Sequence, residues 1–295
     1  MKKVLISLTM IFAIVVMVNG QDLTSKKGFT ILPEADDYAI GFDAVPIVDF
    51  FLNVANIMNN TGSTAQHPGY VSGYNQVLVG KYFLEDTKAI RGKFAFNAET
   101  LTTKTFFDDP FDMALYPADP DRWREIMDVE KMSGTEFILG GGLEFRRGHN
   151  RLQGFYGGEV LLGLMSNSIH NTWAVTMNTE SVTNGYTNGD GSPIVGRILD
   201  QKSGMAIGFG LRGFAGVEYF FAPKISIAAE FGWGFGMETG PRGSATVETW
   251  NIANSAAEKE TSKGANGGGA IGFQVDDGLG KALAPSAALM MYFHF

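Results

Sequence analysis

Three stretches of the chain hold residue types that do chemistry at close spacing. Ser166, Ser168 and His170, in "SNSIH", put two hydroxyls beside an imidazole. A serine becomes a nucleophile when a base lies within hydrogen-bond reach and an acid orients that base; the sequence identifies no acid partner for His170. Asp108, Asp109, Asp112, Asp119 and Asp121 crowd "DDPFDMALYPADPD". Such carboxylates hold calcium or magnesium elsewhere, but the spacing is not that of an EF-hand loop, and a solvated acidic loop is the simpler reading. Gly208-Phe-Gly210-Leu-Arg-Gly213 matches the dinucleotide fingerprint by letters alone, inside an alternating stretch with no helix after it. "NGDGSP" at 188–193 is a turn cluster. His67, His149 and His294 are scattered and form no ligand group. The expectation is a protein without catalytic, cofactor-binding or metal-binding residues.

Composition narrows the class further. A net charge of −8 argues against a nucleic-acid partner, since phosphate binding rests on clustered Lys and Arg. Glycine is abundant at 38 residues but follows no triplet, and 23 phenylalanines exclude a low-complexity disordered chain. The absence of cysteine removes disulfides, thiolate chemistry and a lipobox anchor. Lys2 and Lys3 precede an apolar run from Val4 to Val18, and Val18 and Gly20 suit cleavage before Gln21. Residues 1–20 therefore read as a cleaved export signal, the apolar run being short of the ~20 residues a spanning helix needs.

The long segments alternate with a period of two. From Ile225 to Glu238, one face carries Ile225, Ile227, Ala229, Phe231, Trp233, Phe235 and Met237, and the other is small or acidic. Ser203 to Phe221 behaves alike, as do Tyr38–Val45, Gln76–Leu84, Ala89–Leu101, Gly134–Arg147, Arg151–Ser166 and Ala284–Phe295. These are eight strands. "EDTK", "RGHNR" and "FAPK" join three pairs of them tightly, while the four remaining connections run to roughly 30 to 45 residues. Short and long connections alternate, so all short turns fall at one end. With no second sheet or helices to cover the apolar faces, a closed, membrane-spanning barrel accounts for half-apolar strands of this kind. "VPIVDFFLNVANIMNN" departs from the pattern: its apolar spacing predicts a short helix at about 47–58, with a longer kinked first strand as the alternative.

The final strand places Phe295, Phe293, Met291 and Leu289 on one face. This ending is similar to the C-terminal signal by which outer-membrane proteins are recognised for barrel assembly. The layout over residues 37–295 resembles small outer-membrane barrels of the OmpA, OmpX and OmpW kind, especially the glycine- and aromatic-rich ones of Bacteroidota. The resemblance implies an all-β, eight-stranded antiparallel up-and-down transmembrane barrel in the cell outer membrane, with short periplasmic turns and long extracellular loops. Residues 21–36 would form a short periplasmic tail. The implied partners are outer-membrane lipids, the barrel-assembly machinery at the last strand, and a protein bound at the outer loops.

By parity the interior faces carry Asp43, Arg91, Lys93, Glu99, Glu136, Glu144, Arg146, Glu159, Arg212, Glu218 and Glu230. Eight strands enclose a space about wide enough for side chains alone, which favours a salt-bridged plug; a narrow pore or small-ligand pocket remains the alternative. Acids outnumber bases in this set, so a pore would prefer cations. The expected function is structural or surface-interacting, by display of long loops such as "AEKETSKGANGGGA", which reads as flexible and exposed. A small cation-preferring porin or small-molecule conduit is the first alternative. A lipid A-modifying enzyme is the second, although the order of Ser166, Ser168 and His170 departs from the deacylase pattern.

Overall fold

The computed structural model describes residues 24–25, 27–44, 77–148, 150–264, 267–275 and 288–295. The export signal, the predicted helix at 47–58, His67, His149, Gln76 and the start of the predicted last strand lie outside the described residues.

Among the described residues, alternation of apolar and polar residues produces an all-β fold: eleven strands in one antiparallel sheet. They are β1 (Tyr38–Asp43), β2 (Val77–Glu85), β3 (Lys88–Asp108), β4 (Glu125–Arg147), β5 (Leu152–Thr172), β6 (Arg197–Ala222), β7 (Ile225–Gly240), β8 (Ser244–Asn251), β9 (Ala256–Lys263), β10 (Gly268–Val275) and β11 (Ala288–His294). Among the described residues, two short α-helices, α1 (Pro110–Leu115) and α2 (Thr179–Thr183), interrupt the connections. Each of β1 to β6 pairs with the next strand, β7 also pairs with β11, and β11 pairs with β1. The pairings thus return on themselves through eight of the eleven strands. Tyr38 and Phe295 exchange backbone hydrogen bonds of 2.8 and 2.9 Å, which ties down the last residue.

The count of eight expected from sequence is corrected to eleven by β8, β9 and β10, all in what reads as a loop. β8 prolongs the line of β7: β6 pairs with β7 at Gly208↔Glu238 and with β8 at Lys202↔Ser244. β9 and β10 return alongside, through Ser244↔Lys263 and Gly268↔Gly240. β10 and β11 both lie antiparallel along one side of β7, ending and resuming at Val275↔Trp233 and Ala288↔Glu230. Hydroxyl and charged residues dominate β8 and β9, so no apolar period announces those two, whereas β10 carries only a short one in Ile271, Phe273 and Val275. The same reason shortens two other expected loops, since β3 runs on to Asp108 and β4 begins at Glu125, while β5 runs to Thr172 and β6 begins at Arg197.

Burial follows parity and is inverted relative to a soluble protein. On β6, Ile207, Phe209, Leu211 and Val217 are exposed while Arg212, Phe214, Glu218 and Phe220 are buried. Inside the ring, Ala39, Val79, Phe83, Phe155, Phe214, Met290 and Tyr292 form an apolar cluster. At the far end from the short turns a second small core gathers Val175, Met177 and Ile194, with Phe107, Phe111, Tyr186 and Trp250 against it. Asp128 fixes this platform by accepting the amides of Ala174 and Gly189, both at 2.7 Å.

Glycine at inward positions gives large partners their space. A Cβ at Gly157 would meet the Leu143 carbonyl oxygen at 2.0 Å and the Phe214 ring at 2.7 Å, whereas one at outward Gly80 would meet nothing within 4 Å. Gly157→Ala should therefore cost about 1–3 kcal/mol through overpacking, and Gly80→Ala should be nearly neutral. Denaturant unfolding of the two variants checks the contrast; equal losses would contradict the packing described.

Candidate functional site

The interior of the ring holds one connected set of ion pairs. Lys81 lies 2.9 Å from Glu144 and 3.4 Å from Glu218, and Arg146 reaches the same two carboxylates at 2.8 Å each. Arg91 crosses to Glu230 with two hydrogen bonds and approaches Glu144 at 3.7 Å and Glu159 at 3.5 Å. Arg212 bridges Glu159 at 2.9 Å and Glu230 at 2.8 Å, and Lys93 binds Glu159. At the short-turn end, His294 meets Glu218 at 3.0 Å, Ser226 donates to Glu218, and the Arg146 Nε donates to Gln153 at 2.9 Å. Aromatic rings complete the set, with the Lys81 ammonium 4.0 Å from the centre of the Tyr292 ring and the Arg91 guanidinium 4.3 Å from that of Phe214.

The strands explain why these groups meet. Arg91, Gly142, Glu159, Arg212 and Gly234 are successive cross-strand partners on β3 to β7, so one rung holds three charges with two glycines among them. Glycines let the long side chains swing into the centre. A Cβ at Gly232, on the next rung, would meet the Arg212 guanidinium at 2.5 Å.

Of the residues read as inward from sequence, Arg91, Lys93, Glu144, Arg146, Glu159, Arg212, Glu218 and Glu230 are buried together. Asp43 and Glu136 are half-buried and Glu99 is exposed. Sequence reasoning missed Lys81, Gln153, Ser226, Tyr292 and His294. Lys81 is the informative omission. It shares a face with Val79 and Phe83, on a strand whose opposite face carries Leu78, Tyr82 and Leu84, so alternation does not say which side is inward. With Lys81 added, and with Asp43, Glu99 and Glu136 not among the buried groups, the acidic excess read from sequence does not hold in the buried set: it has five cations, Lys81, Arg91, Lys93, Arg146 and Arg212, against Glu144, Glu159, Glu218 and Glu230.

The other candidates resolve differently. The His170 Nδ1 lies 2.7 Å from the Asp200 carboxylate, the acid the sequence did not reveal, because β6 brings it alongside from 30 residues away. Both groups are exposed, and among the described residues no serine hydroxyl bonds His170. In the acidic loop, Asp109 caps α1 by accepting the Phe111 amide at 3.0 Å, and Arg124 binds Asp109 at 2.8 Å and Asp112 at 2.6 Å. The fingerprint-like glycines lie inside β6. No family model matches the chain, and no curated protein or solved structure matches it either.

Two predictions follow from these pairs. Lys81→Met strands Glu144 and Glu218 partly unpaired and should cost about 3–5 kcal/mol, measured by denaturant unfolding; Glu218→Gln in the same chain should restore part of the loss. The hydrogen bond from Arg124 holds the Asp112 carboxyl below its ordinary range. A depressed folded value means that the stabilisation is present above about pH 4, the unfolded range, and is lost as pH falls through the folded value. Carboxyl-resolved NMR titration should show Asp112 returning to the ordinary range in Arg124→Gln; an unchanged midpoint would refute the assignment.

Proposed function

We propose that the chain is an integral outer-membrane β-barrel of structural or surface-interaction type, exported by its N-terminal signal, spanning with eight lines of strand and holding an ordered platform outside. One observation carries this reading: charges are buried in the middle of the ring while large apolar or aromatic side chains face outward on each of β3 to β7. The dimensions support it. β7 is apolar outward from Ile225 to Met237, about 40 Å along a strand and about 30 Å of height at a barrel tilt near 40°. Aromatic residues ring both borders of this zone. Tyr38, Phe145, Tyr156 and Phe295 are exposed near the short turns, where the half-buried Tyr82 has its ring 4.9 Å from that of Tyr38; Phe94, Phe96, Phe209 and Phe235 are exposed toward the other border. Such girdles are characteristic of barrel walls in lipid. In this orientation the short turns face the periplasm and α1, α2 and the β8–β9 hairpin face outward, where a protein partner would meet them. Barrel-assembly machinery would engage β11 through Leu289, Met291, Phe293 and Phe295.

The paired interior favours a plug over a pore. A second reading, a small-molecule conduit, draws on a recess of about 490 Å³ whose lining includes Asn97, Glu99, Met132, Glu136 and Met165. Recordings of the refolded protein in a planar bilayer separate the two: electrical silence is expected of the plugged barrel, and steady conductance steps would replace this reading with the conduit.

A further inference from the structure

The outward face changes chemistry just beyond its apolar zone. Phe96, Phe137 and Leu164 are cross-strand partners and end that zone on β3, β4 and β5. Two rungs farther from the short turns, Thr100 pairs with Ser133, Ser133 with Ser168, Ser168 with Lys202, Lys202 with Ser244, and Ser244 with Lys263. One lateral row across six strands therefore consists of hydroxyls and lysines alone. The adjacent row adds Lys131 beside His170, and the single acid there, Asp200, is taken up by His170 at 2.7 Å. Lys131, Lys202 and Lys263 are exposed, and none has an ion-pair partner among the described residues. This cationic band sits on a chain whose net charge is −8.

We propose that this band is a binding surface for the phosphate of lipid headgroups in the leaflet at the platform end. The proposal rests on the membrane reading above and adds a specific lipid chemistry to it. Depth supports the assignment: from Phe137 to Ser133 is about 13 Å along the strand, or about 10 Å of height at barrel tilt, which is where headgroups lie above the hydrocarbon. Chemistry supports it too, since lysines supply point charges and Ser and Thr hydroxyls donate to phosphate oxygens. Zwitterionic headgroups carry a cation that this band would repel, so the surface selects lipids with net negative phosphate.

The test refolds the full chain into vesicles of phosphatidylcholine doped with phosphatidic acid, extracts it gently, and weighs the protein with its retained lipid by native mass spectrometry. The wild type should retain phosphatidic acid over its bulk proportion, by about fivefold for each engaged lysine, and high salt should shrink that enrichment. Lys131→Gln, Lys202→Gln and Lys263→Gln together should return it to the bulk ratio, whereas Arg147→Gln, an exposed cation at the short-turn end, should leave it unchanged. Bulk-ratio retention by an inserted wild type, or full enrichment in the triple variant, would overturn the proposal. A chain that does not insert into these vesicles would instead overturn the membrane reading, and the proposal with it.

Discussion

Arg91 on β3 reaches across the ring to Glu230 on β7, and the rest of the molecule is arranged so that this reach is possible. A charge inside a narrow ring of strands has little water to solvate it, so it must find its counter-ion within side-chain length. That condition limits the ring's width, demands small residues where guanidinium groups cross, and requires the carboxylates to come from several different strands. Glu144, Glu159, Glu218 and Glu230 lie on four strands, β4 to β7. Each serves more than one cation, so the interior acts as one lattice rather than as separate pairs.

The inverted burial follows from the same condition. With the interior filled by ions and a few aromatic rings, the apolar side chains of β3 to β7 have only the outside to face. A soluble protein with such a wall would hide it against a second layer; the described residues form one sheet. The surface above the wall belongs to a different regime, with a small apolar core of its own around Val175 and Ile194 and with Asp128 and Arg197 holding the connecting chain by its backbone. An ordered platform thus stands where sequence suggested only long loops.

Alternation made the all-β class and the inward face of β3 to β7 readable, because a period of two is carried by side chains alone. Glu159 and Arg212 were read as inward this way, and both are buried. Alternation says nothing about which rung meets which, so the Arg91–Glu230 contact and the His170–Asp200 pair depend on register and on the β5–β6 irregularity near Ser166, which no local pattern records. Nor does it mark where a strand ends once its residues stop alternating in polarity. Thr100, Ser133 and Ser244 belong to strands by hydrogen bonding, yet their neighbours in sequence look like loop. Lys81 was lost for the opposite reason, since both faces of β2 are apolar and the lone charge had no pattern to break.

The pairing of β1 with β11 has a kinetic meaning. Ala39 and His294 are partners although roughly 250 residues of chain separate them, and the contact that shuts the ring is the one of longest range. Closing so large a loop carries an entropy cost that no local contact offsets. Until it forms, β1 and β11 each present an unpaired edge able to recruit another chain. A nascent molecule would pass through a stage in which most strands are made but the seam is open, and whatever holds those two edges apart from other chains governs how much of the protein matures.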